Sequence, residues 1–99
     1  MPVPEKRIAQ IADEIMHTNR EDDYGRPSDN YGHLANLWSA YLQRKTGLPI
    51  TITAEDCLQM MILLKINRQA KKPKRDNLID IIGYTICIDE MDDDKNGSG

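Results

Sequence analysis

The chain has no phenylalanine and a single tryptophan among its 99 residues, so its core must be assembled from aliphatic side chains, methionine and a few tyrosines. It has only two cysteines, Cys57 and Cys87, with no CxxC or Cys/His spacing, which argues against a zinc framework and for reduced, buried thiols. No apolar run approaches the roughly 20 residues that a membrane span requires. Charged Glu5, Lys6 and Arg7 follow the first residues at once, a poor match to a secretory signal, so a cytoplasmic location is expected. Ser28 and Ser39 lack a neighbouring His and Asp pattern, and this sets covalent acyl transfer aside. His17 and His33 have no carboxylate or cysteine at metal spacing. Internal repeats, low-complexity runs and convincing strands are likewise missing.

What is present is charge, unevenly spread. The net charge is −3, yet six of the thirteen Lys and Arg residues fall between Lys65 and Arg75, while Asp89, Glu90, Asp92, Asp93 and Asp94 crowd the C-terminal end. Such a balance gives no nucleic-acid signature, although the basic segment can steer smaller anions. A chain of this length supports one domain, expected over residues 1–95, with the small polar residues 96–99 as a flexible tail.

Helical periodicity dominates the chain. Pro4 suits a first turn, and Ile8, Ile11, Ala12, Ile15 and Met16 form one apolar stripe, predicting a first helix from about Pro4 to Arg20. Residues 21–30 read as a polar loop ending in an N-cap at Asn30. Leu34, Leu37, Trp38, Tyr41 and Leu42 predict a second amphipathic helix that stops near Lys45, ahead of Gly47 and Pro49. The β-prone run Leu48–Ile52 is too isolated to pair and reads as a connector. Thr53 with Asp56 forms a variant capping box that opens a third helix over about Ala54–Ala70. The middle of helix three and the stretch Leu78–Ile88 of helix four are apolar on nearly every side. Helices of that kind must be covered all round, so the expectation is an all-α four-helix bundle with helices three and four central and forming a homo-oligomer.

The richest chemistry lies at the start of helix four. Asp76, Asn77 and Asp80 stand at i, i+1 and i+4, so their polar groups can converge on one face as a seat for a divalent cation such as Mg²⁺. Lys65 and Arg68, at i and i+3 on helix three, are candidate clamps for phosphate. The ordinary alternatives are that Asp76 caps helix four and that Asp80 forms a salt bridge with Lys65 or Arg68. Asp22, Asp23, Tyr24 and Asn30 frame the first loop, where Asp23 could orient an attacking water and Tyr24 could stack on a base; the alternatives are a turn in which Asp and Asn bond their own backbone, and a Tyr24 that plugs the end of the bundle.

The pattern of Asp23-Tyr24-Gly25, Pro27, Asn30, Leu37-Trp38-Ser39-Ala40-Tyr41-Leu42, Met60-Met61, Lys65 with Arg68, Asp76-Asn77 with Asp80, and Gly83-Tyr84 resembles a small phage- and prophage-borne family of unknown function. It is also similar to the wider MazG-like group of all-α nucleoside triphosphate pyrophosphatases. That second resemblance implies a four-helix, often multimeric scaffold in which acids hold Mg²⁺ and basic residues hold a triphosphate. Asp80 would match the last acid of the group's E-x-x-D motif, Asn77 would stand in place of its Glu, and Lys65 and Arg68 would match phosphate contacts. Tyr24, Asn30 and Tyr84 join them as candidate nucleotide contacts, and Asp23 and Asp80 as candidate catalytic groups. The first acidic motif of those enzymes, E-x-x-E, has no counterpart, since residues 30–45 contain neither Glu nor Asp.

Three functions follow as expectations. One is Mg²⁺-dependent cleavage of a nucleoside triphosphate to monophosphate and pyrophosphate, with Asp76 and Asp80 as metal ligands. Another is nucleotide binding without hydrolysis, a sequestering anti-defence role in a host cytoplasm. A third is a host-directed protein interaction module in which the bundle is only a platform.

Overall fold

The computed structural model describes residues 7–18 and 27–97, with side chains described for residues 7–15 and 29–91. Among them lie four helices and no strand: α1 (Ile8–Thr18), α2 (Pro27–Thr46), α3 (Ala54–Lys71) and α4 (Arg75–Gly97).

Helix α1 starts at Ile8; Pro4 and Arg20, the bounds expected for it, lie outside the described residues. Arg7 closes its end: the Arg7 carbonyl accepts the Gln10 and Ile11 N–H groups at 2.9 and 3.1 Å, and the Arg7 N–H donates to Gln10 Oε1 at 3.1 Å. Helix α2 begins three residues earlier than expected, so Asn30 lies inside its first turn and does not cap it. Pro27 explains the shift, because a proline fits the first helical position, and Asp29 in the first turn complements the helix dipole. The helix ends at Thr46 because Gly47 adopts φ of 70° and donates its N–H to the Gln43 carbonyl at 2.9 Å, a left-handed cap that favours glycine.

As expected, the segment after α2 is a connector and not a strand. Side chains of α2 strap it down. The Ser39 hydroxyl donates to the Ala35 carbonyl at 2.7 Å and accepts the Ile52 N–H at 2.8 Å, while Gln43 Nε2 donates to the Ile50 carbonyl at 2.7 Å. This places Thr53 for the capping box that opens α3: its Oγ1 accepts the Asp56 N–H at 3.1 Å, and Asp56 Oδ2 accepts the Thr53 N–H at 2.9 Å.

Leu58, Tyr84, Cys87 and Met91 form the core between α3 and α4, with Tyr31 of α2 and Ala54, Met61, Ile62 and Ile88 packed against it. Tyr31 meets Tyr84 edge to face, with ring centroids 6.4 Å apart. Both cysteines are buried and reduced, as expected. Helix α4 is the hub, touching α1, α2 and α3, whereas α1 packs on α4 alone among the described elements.

Several expectations change here. Helix α3 is less central than its composition suggested, since Met60, Leu63, Leu64 and Ile66 are exposed. On α2 the inward face is Tyr31, Ala35, Trp38, Ser39 and Leu42, while Leu37 and Tyr41 of the expected stripe face outward. Helix α4 is described through Gly97, and residues 98–99 lie outside the described residues.

Candidate functional site

The turn between α3 and α4 is built by Gln69. Its Oε1 accepts both the Lys74 N–H at 2.9 Å and Asn77 Nδ2 at 3.1 Å, and the Asn77 N–H reaches the Lys74 carbonyl at 3.1 Å. Helix α3 closes at Lys72, whose N–H donates to the Arg68 carbonyl at 2.9 Å, and Pro73 prevents further helix. Such a short, pinned turn forces the basic C-terminal end of α3 and the first turn of α4 to face one cleft.

That cleft has a volume of about 620 Å³ and is lined by Lys65, Asn67, Arg68, Lys71, Lys72, Lys74, Asp76, Asn77 and Asp80. Five cationic side chains face two carboxylates, a local excess of three positive charges on a chain whose net charge is −3. Lys65 Nζ and Asp80 Oδ2 meet at 2.8 Å, with side chains 13% and 26% exposed. Asp80 therefore already has a cation, as a carboxylate between apolar neighbours must. Arg68, Lys71, Lys72 and Lys74 form no ion pair among the described residues, so their charges are available to an anion.

The expected site residues divide into two groups. Lys65, Arg68, Asp76, Asn77 and Asp80 do share the cleft. Asn77 is buried with its amide nitrogen committed to Gln69, so it serves the turn. Asp76 is exposed in the first turn of α4 and does not stand at the cap. Tyr84, by contrast, is only 6% exposed and belongs to the core, where its ring packs on protein. Asn30 is exposed on α2 and lines no part of the cleft. Asp23 and Tyr24 lie outside the described residues.

By sequence Lys71, Lys72 and Lys74 belong to a basic segment that can steer anions; the turn gathers them into the cleft wall itself. The signal was Gln69, an amide one turn from Pro73 that organises the junction. Among the described residues, no group of three or more His, Cys, Asp or Glu side chains is placed to hold a metal ion. The donor set of the cleft, two carboxylates, suits Mg²⁺ only in the mode where a bound phosphate completes the shell.

A second concavity of about 540 Å³ lies between α2 and the start of α3, lined by Asp29, Gly32, His33, Ala35, Asn36, Ile52, Thr53 and Ala54. Its lining lacks the concentrated charge of the first. No helix of the described residues is long and apolar enough to cross a membrane.

The family model for a domain of unknown function, DUF6378, matches residues 7–92. The chain is similar to the Gene 55 protein of Mycobacterium phage L5, 39% identical over 85 residues that make up 85% of this chain and 51% of that protein. It is also similar to the Gene 55 protein of Mycobacterium phage D29, 32% identical over 85 residues, which are 85% of this chain and 52% of that protein. The chain thus spans about half the length of these curated relatives. No solved structure matches it. The expected likeness to a phage-borne family of unknown function is met; the MazG-like likeness rests on the motifs alone.

Proposed function

The chain belongs to the DUF6378 family, and from its α3–α4 cleft we propose that it recognises a nucleotide through its phosphates, binding it without hydrolysis. The observation that carries this reading is the set of cations Arg68, Lys71, Lys72 and Lys74, with no ion pair among the described residues, gathered around one cleft large enough for a small ligand. Arg68 offers a planar two-pronged donor for phosphate oxygens, and the lysines offer mobile point charges around it. Lys65, held by Asp80, is a fixed positive element at the cleft wall and not a swinging clamp. Affinity of this kind is electrostatic and falls with salt. A stoichiometric binder of nucleotides would act in a host cytoplasm, which suits a family with phage members.

A second reading is hydrolysis of a nucleoside triphosphate to a monophosphate and pyrophosphate, as in MazG-like enzymes. Asp76 and Asp80 would hold Mg²⁺, and the ion would neutralise phosphate charge and acidify a bound water. What favours it is the presence of both carboxylates in the same cleft as Arg68. The Lys65–Asp80 ion pair counts against it, because one Asp80 oxygen is already occupied by an ammonium.

The two readings separate in one experiment. Protein in stoichiometric amount is incubated with mixed nucleoside triphosphates and dinucleotides, with Mg²⁺ or with EDTA. It is then filtered, and the retained fraction is denatured and chromatographed. Intact nucleotide recovered from the protein in both conditions supports binding; monophosphate appearing only with Mg²⁺ supports hydrolysis. An untouched pool would overturn both and shift weight to a protein partner.

A further inference from the structure

One face of α3 is left uncovered by the other described helices. Helix α4 and the start of α2 cover the side that carries Cys57, Leu58 and Met61, and α1 does not reach α3. On the opposite side Met60 and Leu64 are each 43% exposed and Leu63 is 62% exposed. At about 100° per residue, Asp56, Met60, Leu63, Leu64, Asn67 and Lys71 fall on that single outward stripe.

The stripe has a symmetry of its own. It is acidic at its N-terminal end, apolar in the middle and basic at its C-terminal end. Measured from the point between Leu63 and Leu64, Met60 and Asn67 are equally distant, and so are Asp56 and Lys71. A face that matches its own reverse is what a two-fold interface between identical chains requires.

We propose that a second copy of this chain docks here, α3 against α3 in antiparallel orientation, with the two-fold axis passing between Leu63 and Leu64. Each Leu63 then packs on the partner subunit's Leu63 and the partner subunit's Leu64, and these central leucines exclude water from the crossing. Lys71 meets the partner subunit's Asp56 at both ends. Asp56 spends one carboxylate oxygen on the Thr53 N–H and keeps the other for this contact. Parallel pairing is disfavoured, because it would set Asp56 on Asp56 and Lys71 on Lys71. The pairing also brings the partner subunit's Asp56 to the edge of the cleft, since Lys71 and Asn67 line it. The inference stands on α3 alone; in the dimer Lys71 is committed to the partner subunit's Asp56, and Arg68, Lys72 and Lys74 are the cations left to an anion in the cleft.

Sedimentation of the intact chain tests it. The wild-type protein should sediment as a dimer. Leu63→Asp, which buries a charge at the axis, should raise the dimer dissociation constant by about a hundredfold or more while leaving the circular dichroism helical. Leu37→Asp, an equally exposed apolar position on α2, should leave the dimer intact. Leu63→Cys should cross-link into a covalent dimer under mild oxidation, and Lys71→Glu should weaken the dimer by about tenfold through like-charge contact. A wild-type monomer at its highest soluble concentration would overturn the proposal and leave the stripe to a different protein. A dimer insensitive to Leu63→Asp, or one lost with Leu37→Asp alone, would overturn it too.

Discussion

Lys65 on α3 and Asp80 on α4 join their side chains at 2.8 Å, and this ion pair fixes the inner wall of the basic cleft. Its two groups are mostly covered, so the pair lies between the weak exposed salt bridges and the costly buried ones. Replacing Lys65 by Met or Asp80 by Asn should each destabilise the chain by about 1–2 kcal/mol. A double-mutant cycle followed by urea unfolding should return a favourable coupling of about 1 kcal/mol. Independent, additive effects would mean that the contact contributes nothing in solution.

Thr53→Ala removes the hydroxyl that accepts the Asp56 N–H and should cost about 1 kcal/mol. Asp56→Ala should cost a similar amount, because each residue caps the other and neither half works alone. Chemical unfolding with an unchanged denaturant slope is the check.

Ser39→Ala strands the Ile52 N–H and should destabilise by about 1–2 kcal/mol, a loss that Ser39→Thr partly avoids. Hydrogen exchange should show faster opening of the Ile50–Thr53 backbone before any change in α4. An effect spread over the whole chain would place the role of Ser39 elsewhere.

Burial pushes the Cys57 thiol above its ordinary range, and the neighbouring Asp56 carboxylate adds to the rise. The folded protein therefore holds this proton more tightly than the unfolded chain. Stability should be intact below the unfolded thiol pKa of about 8.5 and should fall as pH rises beyond it, because only the unfolded thiol then ionises. Cys57→Ala should remove this part of the alkaline dependence. Alkylation of native protein at neutral pH should be slow at Cys57 and should accelerate on unfolding.

Much of the fold was legible in the chain. The capping box at Thr53 and Asp56 and the stop at Gly47 are local chemistry, so short-range reasoning finds them. The four helices follow from apolar spacing in the same way. Periodicity failed where it could not say which side of a helix is covered: Leu37 and Tyr41 share a stripe with Trp38 yet point outward, because α2 is fixed by Ser39 and Gln43 binding the connector. Pro27 outweighed the Asx residues that suggested a later start for α2.

The candidate site was legible in part for a similar reason. Lys65, Arg68, Asp76 and Asp80 were visible by spacing, and the Lys65–Asp80 bridge was one of the alternatives raised for them. That Tyr84 sits in the core was not visible, since an aromatic beside a polar motif looks the same whether it faces ligand or protein. Lys71, Lys72 and Lys74 became cleft residues only through Gln69, whose bonds to Lys74 and Asn77 depend on how the turn folds.

The most direct test of phosphate recognition is calorimetric titration of a nucleoside triphosphate into wild-type protein and into the charge-removed variant Arg68→Ala/Lys72→Ala, at two salt concentrations with EDTA present. Binding by the wild type that weakens with salt, and that falls about tenfold or more in the variant while thermal stability is retained, is the result expected of the cleft. Undetectable binding by the wild type, or equal binding by the variant, would contradict it.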